Sequence, residues 1–157
     1  MDQSLLGKQD VLLDLDCQDR QGMFEAVGRY CQEQRGIAAD TVVKSLAARE
    51  TLGSTGLGQG VAVPHARVSG LTEPVTLFVR PKTPIAFGAP DGNPVQSFFF
   101  LLAPLDANER HLQILADVAE QLSGSQFRTQ LGVSTSKEEI CHLFPTRGAG
   151  AGAGVRA

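Results

Sequence analysis

From Phe98 to Leu102 the chain reads Phe-Phe-Phe-Leu-Leu, with no polar residue to break the run, inside a segment that begins at Val95. A strand with one wet face alternates apolar and polar side chains, so an unbroken run marks a central strand covered on both faces. Helices must therefore flank the sheet on both sides. The rest of the chain supplies the parts. Asp10–Leu15 is a short strand or extended lead-in, Pro74–Val79 a strand, Ile85–Phe87 a short one, and Asp91-Gly92 a hairpin signal before Val95. Met23, Phe24, Val27, Tyr30 and Cys31 form one helical stripe between Gln21 and Gln34, with Asp19 as its cap. A second helix runs from about Asp40 to Glu50 and buries Val42, Val43, Leu46 and Ala47. Leu112, Leu115, Ala116, Ala119 and Leu122 form a third stripe behind an Asp106/Glu109 capping pair, and Ser136/Glu139 repeats that device before Ile140, Leu143 and Phe144. The prediction is α/β: a single three-layer α/β/α domain with a mixed central sheet over residues 1–145. The Gly/Ala repeats of residues 146–157 cannot bury a core and are expected to be a disordered tail.

Composition removes several function classes. The net charge is −3 with no block of basic residues, so the electrostatic footprint of a nucleic-acid binder is missing. Cys17, Cys31 and Cys141 are odd in number, far apart and without C-x-x-C spacing, which argues against a disulfide framework or structural zinc and fits a reducing cytoplasm. The amino terminus lacks the basic start and apolar core of a signal peptide, and no apolar run is long enough for membrane insertion. The expectation is a soluble cytoplasmic protein without metal or cofactor.

The chemistry concentrates around residues 49–65. Gly53-Ser-Thr-Gly-Leu-Gly-Gln-Gly60 carries four glycines in eight residues and leads through Val61-Ala-Val63 into Pro64-His65. A P-loop would need Lys after its last glycine, and a dinucleotide fingerprint would run into a helix; this stretch does neither. What remains is a flexible, amide-rich loop, an anion nest beside a histidine. Pro64 disfavours the helical region for Val63, so His65 is delivered at the end of an extended segment, on a strand edge or turn.

The segment from Arg49-Glu-Thr-Leu-Gly through Gly-Gln-Gly-Val-Ala-Val-Pro-His65 resembles the phosphorylation site of the enzyme IIA proteins of the bacterial phosphoenolpyruvate-dependent phosphotransferase system. It is similar to the mannitol/fructose class and, within it, the nitrogen-regulatory type. Thr83-Pro-Ile-Ala-Phe87, Asp91-Gly-Asn-Pro-Val95 and His111-Leu-Gln-Ile-Leu115 resemble later segments of that family in the same order, so the likeness spans Leu5 to Phe144. The resemblance implies that His65 accepts a phosphoryl group, on Nε2, from an HPr-like phosphocarrier. It implies that Arg49 supplies a fixed charge and that His111 is the second active-site histidine, oriented toward His65 or the phosphoryl group. Ser54 and Thr55 are candidate phosphoryl-binding residues through their amides and hydroxyls, and Arg67 matches the family's basic residue as a further phosphate or partner contact. The family usually has glycine after the histidine; Ala66 stands there, which would strain the chain if that position needed positive φ. Regulated partners implied by the family include potassium-transport and sensor-kinase proteins.

Without that likeness the same residues have plainer readings: His65 as a turn residue, Arg49 as a helix-end cation beside last-turn carbonyls, His111 as an interfacial histidine. His142 is read as having no role. Two rival functions remain open, a sugar-specific transport component and a regulatory module that binds an anion without being phosphorylated. The absence of fused transport domains favours the regulatory carrier over the first. A histidine-carboxylate metal hydrolase ranks last, because the histidines lack ligand spacing.

Overall fold

The computed structural model describes residues 6–144. After a 3-10 turn (Lys8–Asp10), the elements follow as β1 (Val11–Leu15), α1 (Arg20–Arg35), α2 (Ala39–Thr51), β2 (Gly56–Gly58), β3 (Val61–Ala62), β4 (His65–Arg67), β5 (Val75–Pro81), β6 (Ser97–Ala103), α3 (Glu109–Leu122), α4 (Ser125–Val133) and α5 (Lys137–Leu143). The expected Gly/Ala tail lies outside the described residues.

The apolar run is the middle of the sheet. β6 pairs antiparallel with β5 on one side, Phe98 opposite Val79 and Leu102 opposite Val75. Its other edge is shared by β3 and β4, both parallel to it, while β1 lies parallel outside β5 and β2 antiparallel outside β3. Both faces of β6 are covered. Phe98, Phe100 and Leu102 enter a core with Phe24 and Val27 of α1 and Val42 and Leu46 of α2. Phe99 points the other way, into a core with Val118 and Leu122 of α3, Leu131 of α4 and Ile140 of α5. Edge-to-face rings fasten both layers: Phe87 meets Phe98 at 5.1 Å, and Phe127 meets Phe144 at 5.4 Å on the opposite face. The fold is α/β with helices on both sides of a mixed six-stranded sheet.

Pro64 divides what would otherwise be one strand. Val61 lies opposite Ser97 and His65 opposite Leu101, so the register is the same before and after the proline. Pro64 has no N–H to donate, but its carbonyl accepts from Leu101 N at 3.0 Å and holds the chain against β6. His65 therefore opens β4, an edge segment, as the extended conformation before Pro64 requires.

Several local expectations are corrected. Ile85–Phe87 makes only an isolated bridge, Ile85 to Val95, because Pro84 and Pro90 bracket it and Gly88 turns the chain at φ 69°. The cap of α3 is Asn108, whose side chain accepts from Arg110 N at 2.9 Å, rather than Asp106. The buried face of α3 is carried by Val118 and Leu122, whereas Leu112 is 50% exposed and Ala116 lies outward. The start of α3 thus overhangs the end of the sheet where β4 lies. α4 has no counterpart among the expected elements, because Gly124 at its N-cap offers no side-chain signal and only Leu131 is fully buried.

Candidate functional site

The site is assembled where α2 ends, β4 begins and α3 starts. Arg49 and Glu50 sit in the last turn of α2 and point apart. Glu50 follows Val42 and Leu46 at four-residue steps, so its side chain is turned inward and is only 7% exposed. There its carboxylate accepts from Thr55 N and Thr55 Oγ1, each at 2.9 Å. Arg49 is left on the cavity side: Nη1 donates to Gly53 O at 2.9 Å and Nε donates to His65 Nε2 at 3.3 Å.

These contacts fix the tautomer of His65. Nδ1 lies 2.9 Å from Val63 O, and a carbonyl can only accept, so Nδ1 carries the proton. Nε2 is then a bare lone pair, which is what the Arg49 Nε–H requires. The second histidine is set the opposite way. His111 is the third residue of α3, and its Nδ1 accepts from Asn108 N at 3.3 Å, closing a reciprocal cap. In the neutral ring Nε2 therefore carries the proton. His65 and His111 line one cavity of about 400 Å³, together with Arg49, Arg67, Leu52 and Leu112. A nucleophilic nitrogen, a fixed cation and an N–H donor thus share one pocket.

Arg67 is exposed at the cavity wall, with Nη1 donating to Leu105 O at 3.3 Å. Ala66 lies in regular strand register opposite Leu102 and is not among the positive-φ residues, so alanine fits without strain. Ser54 and Thr55 are placed elsewhere. Neither lines the cavity: Ser54 Oγ donates to Phe87 O at 3.1 Å and accepts from Gly56 N at 3.0 Å, and Thr55 is held by buried Glu50.

The glycine-rich stretch is likewise not an open anion nest but the hairpin β2–β3. Its glycines serve packing and turning: a Cβ at Gly56 would come within 3.1 Å of Ala89, and Gln59 and Gly60 turn the hairpin at φ 61° and 79°. Gln59 N donates to Asp91 Oδ2 at 2.8 Å, and this bond, with that from Asn93 N, holds the Asp91 carboxyl below its ordinary range. His142 is exposed on α5 and does not line the cavity. Among the described residues no group of three or more His, Cys, Asp or Glu could hold a metal ion, and no helix is long and apolar enough to cross a membrane.

Sequence reading misses two contributors, Glu50 and Asn108. The first is legible in its four-residue spacing from Leu46; the second is hidden because the usual capping partner is Glu or Gln, not His.

Residues 4–146 match the family described as phosphoenolpyruvate-dependent sugar phosphotransferase system, EIIA 2. The chain belongs to this family. It is 32% identical over 146 residues to the nitrogen regulatory protein of Klebsiella oxytoca, covering 92% of this chain and 90% of that protein. The crystal structure of nitrogen regulatory protein IIA-Ntr from Neisseria meningitidis superimposes with TM-score 0.84 at 37% identity, over 88% of this chain and 95% of that one. The mannitol IIA of Escherichia coli shares the fold, with TM-score 0.72 at 20% identity over 88% and 97% of the two chains. Enzyme IIA membership and the histidine pair are both readable from the sequence segments around Arg49–His65 and His111; the tautomers are not.

Proposed function

We propose that this protein is a regulatory phosphoryl carrier in which Nε2 of His65 takes a phosphoryl group from the phosphohistidine of an HPr-like phosphocarrier. The observation that carries this reading is the hydrogen bond from Nδ1 to Val63 O, which leaves Nε2 unprotonated; its lone pair accepts from Arg49 Nε–H, and that bond opens as the phosphoryl group arrives and Arg49 turns to its oxygens. As the Nε2–P bond forms, the donor's N–P bond breaks and its imidazole keeps the electron pair. The proton on His65 Nδ1 stays there, hydrogen-bonded to Val63 O, which faces the positive charge developing on the ring. The protonated ring is also a good leaving group, so the phosphoryl group can be passed on. Arg49 and the Nε2–H of His111 are suited to the equatorial oxygens, where charge is spread during transfer.

Exposed leucines favour a protein donor over a small one. Leu52 and Leu112, 82% and 50% exposed, line the cavity, and Leu105, 60% exposed, adjoins Arg67. Such a rim is an apolar docking surface. The nitrogen-regulatory names of the relatives support regulation over sugar transport; the proposed output, through cytoplasmic partners of the potassium-transport or sensor-kinase kind, rests on the family resemblance alone. Phosphorylation adds about −2 charge at this rim, enough to make or break an interface.

Incubation with phosphoenolpyruvate and the upstream carriers is expected to yield one acid-labile phosphate on the wild type and none on His65→Ala. An unlabelled wild type beside an active carrier of matching type would remove the proposal.

A further inference from the structure

A second cleft of about 380 Å³ lies at the other end of β6, between the β2–β3 turn and α4. It shares no lining residue with the His65 cavity, yet one short run of chain joins them: Val61 lines this cleft and His65 lines the cavity. Its floor holds Ser97, a residue 3% exposed whose hydroxyl has no hydrogen-bond partner among the described residues. No fully buried side-chain polar atom among them is left unsatisfied, so that hydroxyl keeps some exposure, and the cleft is the cavity that Ser97 lines. The wall carries the Arg128 guanidinium. Its Nη1 is fixed by Leu122 O at 3.0 Å and Ser123 O at 2.8 Å, while Nε and Nη2 have no acceptor among the described residues. Gln96 and Thr129 add further polar groups, and no carboxylate of the described residues lines the space. Gly132 adjoins it near the end of α4, where alanine would ordinarily be favoured; its Cβ would stand 3.1 Å from Gln96 Nε2 and crowd the cleft.

We propose that this cleft binds a small oxyanion, a phosphate or carboxylate group, between Arg128 and the Ser97 hydroxyl. One guanidinium edge meets the charge and a buried hydroxyl meets the remaining lone pairs, with nothing of like sign to repel them. Because the cleft and the His65 cavity open separately, an occupant leaves the nucleophile accessible. It bears instead on Gly60, whose carbonyl accepts from Gln96 N and Ser97 N at 2.9 and 3.1 Å. The site stands independently of whether His65 is phosphorylated.

The test is an amide NMR titration of the full chain with inorganic phosphate and, separately, with succinate. Saturable shifts at Gly60, Ser97 and Gly132 are expected with at least one probe, and which one saturates tells a phosphate site from a carboxylate site. They should persist in the double variant Arg49→Ala/Arg67→Ala, which removes both arginines of the other cavity, and weaken about tenfold in Arg128→Gln. Gly132→Ala is the companion variant: its Cβ would meet Gln96 Nε2 at 3.1 Å and narrow the cleft while raising helix propensity, and a thermal melt of the same variant separates loss of binding from loss of fold. No saturable shift with either probe, or affinity unchanged in both Arg128→Gln and Gly132→Ala, overturns the proposal.

Discussion

At the end of α2 the chain sets a cation and an anion side by side, and the rotation between successive helical residues sends Arg49 toward His65 and Glu50 under the glycine hairpin. Arg49 makes two directed bonds from separate nitrogens, one to Gly53 O and one to His65 Nε2. Lysine would bring the charge but not the planar pair of donors. Arg49→Lys is therefore expected to slow phosphoryl transfer to His65 by about tenfold or more while leaving the thermal midpoint unchanged, as rapid-quench labelling and calorimetry would show. An unchanged rate would mean that charge alone is sufficient. Glu50 acts on stability instead. Its removal leaves Thr55 N–H and Oγ1 buried without an acceptor, so Glu50→Ala should cost about 2–3 kcal/mol in urea unfolding.

At the scale of the element, the first turn of α3 builds the second half of the site. Asn108 caps Arg110 N, and its own N–H turns the His111 ring so that Nε2 presents a proton. Asn108→Ala is expected to cost about 1 kcal/mol. His111 keeps the backbone partner, because the donor to its Nδ1 is the main-chain N–H of residue 108. Nitrogen chemical shifts of the ring should therefore still report an Nε2–H tautomer; a switch to Nδ1–H would show that the side-chain cap, not the backbone, fixes it. This turn also marks where sequence reading fails. Leu112 and Ala116 fit a helical stripe with Leu115 and Leu122, yet both are exposed: Leu112 is turned to the wall of the His65 cavity, and Ala116 lies on the side of the helix away from buried Val118. The serine and threonine of the glycine stretch mislead for a related reason. Spacing shows that they lie near His65 in the chain but not that buried Glu50 and the Phe87 carbonyl engage them. By contrast, α1 is legible down to Asp19, whose carboxylate accepts from Gly22 N at 2.8 Å, because cap and stripe are both local signals.

For the molecule as a whole, the decisive fact is that one strand belongs to two cores and also carries the residue paired with His65. Phe98 and Phe100 enter the α1–α2 face, Phe99 enters the α3–α5 face, and Leu101 pairs with His65 between them. The unbroken apolar run makes this arrangement readable in the sequence itself, since neither face of β6 could be left in water. Its consequence is mechanical. His65 and Arg49 lean on the first core, whereas His111 is carried by α3 on the second, so the cavity keeps its shape only while both layers stay docked on β6. Phe99→Ala would open a void against Phe144, whose ring lies 5.1 Å from Phe99, and should cost about 3–5 kcal/mol. Loss should still occur in one cooperative step, because the two cores share the strand that the void disturbs. Denaturation followed by far-ultraviolet circular dichroism and by the His65 and His111 ring signals should therefore give coincident curves. If the His111 signal melts first while the His65–Arg49 signal persists, the two faces fold as separate units and the cavity is an interface between them.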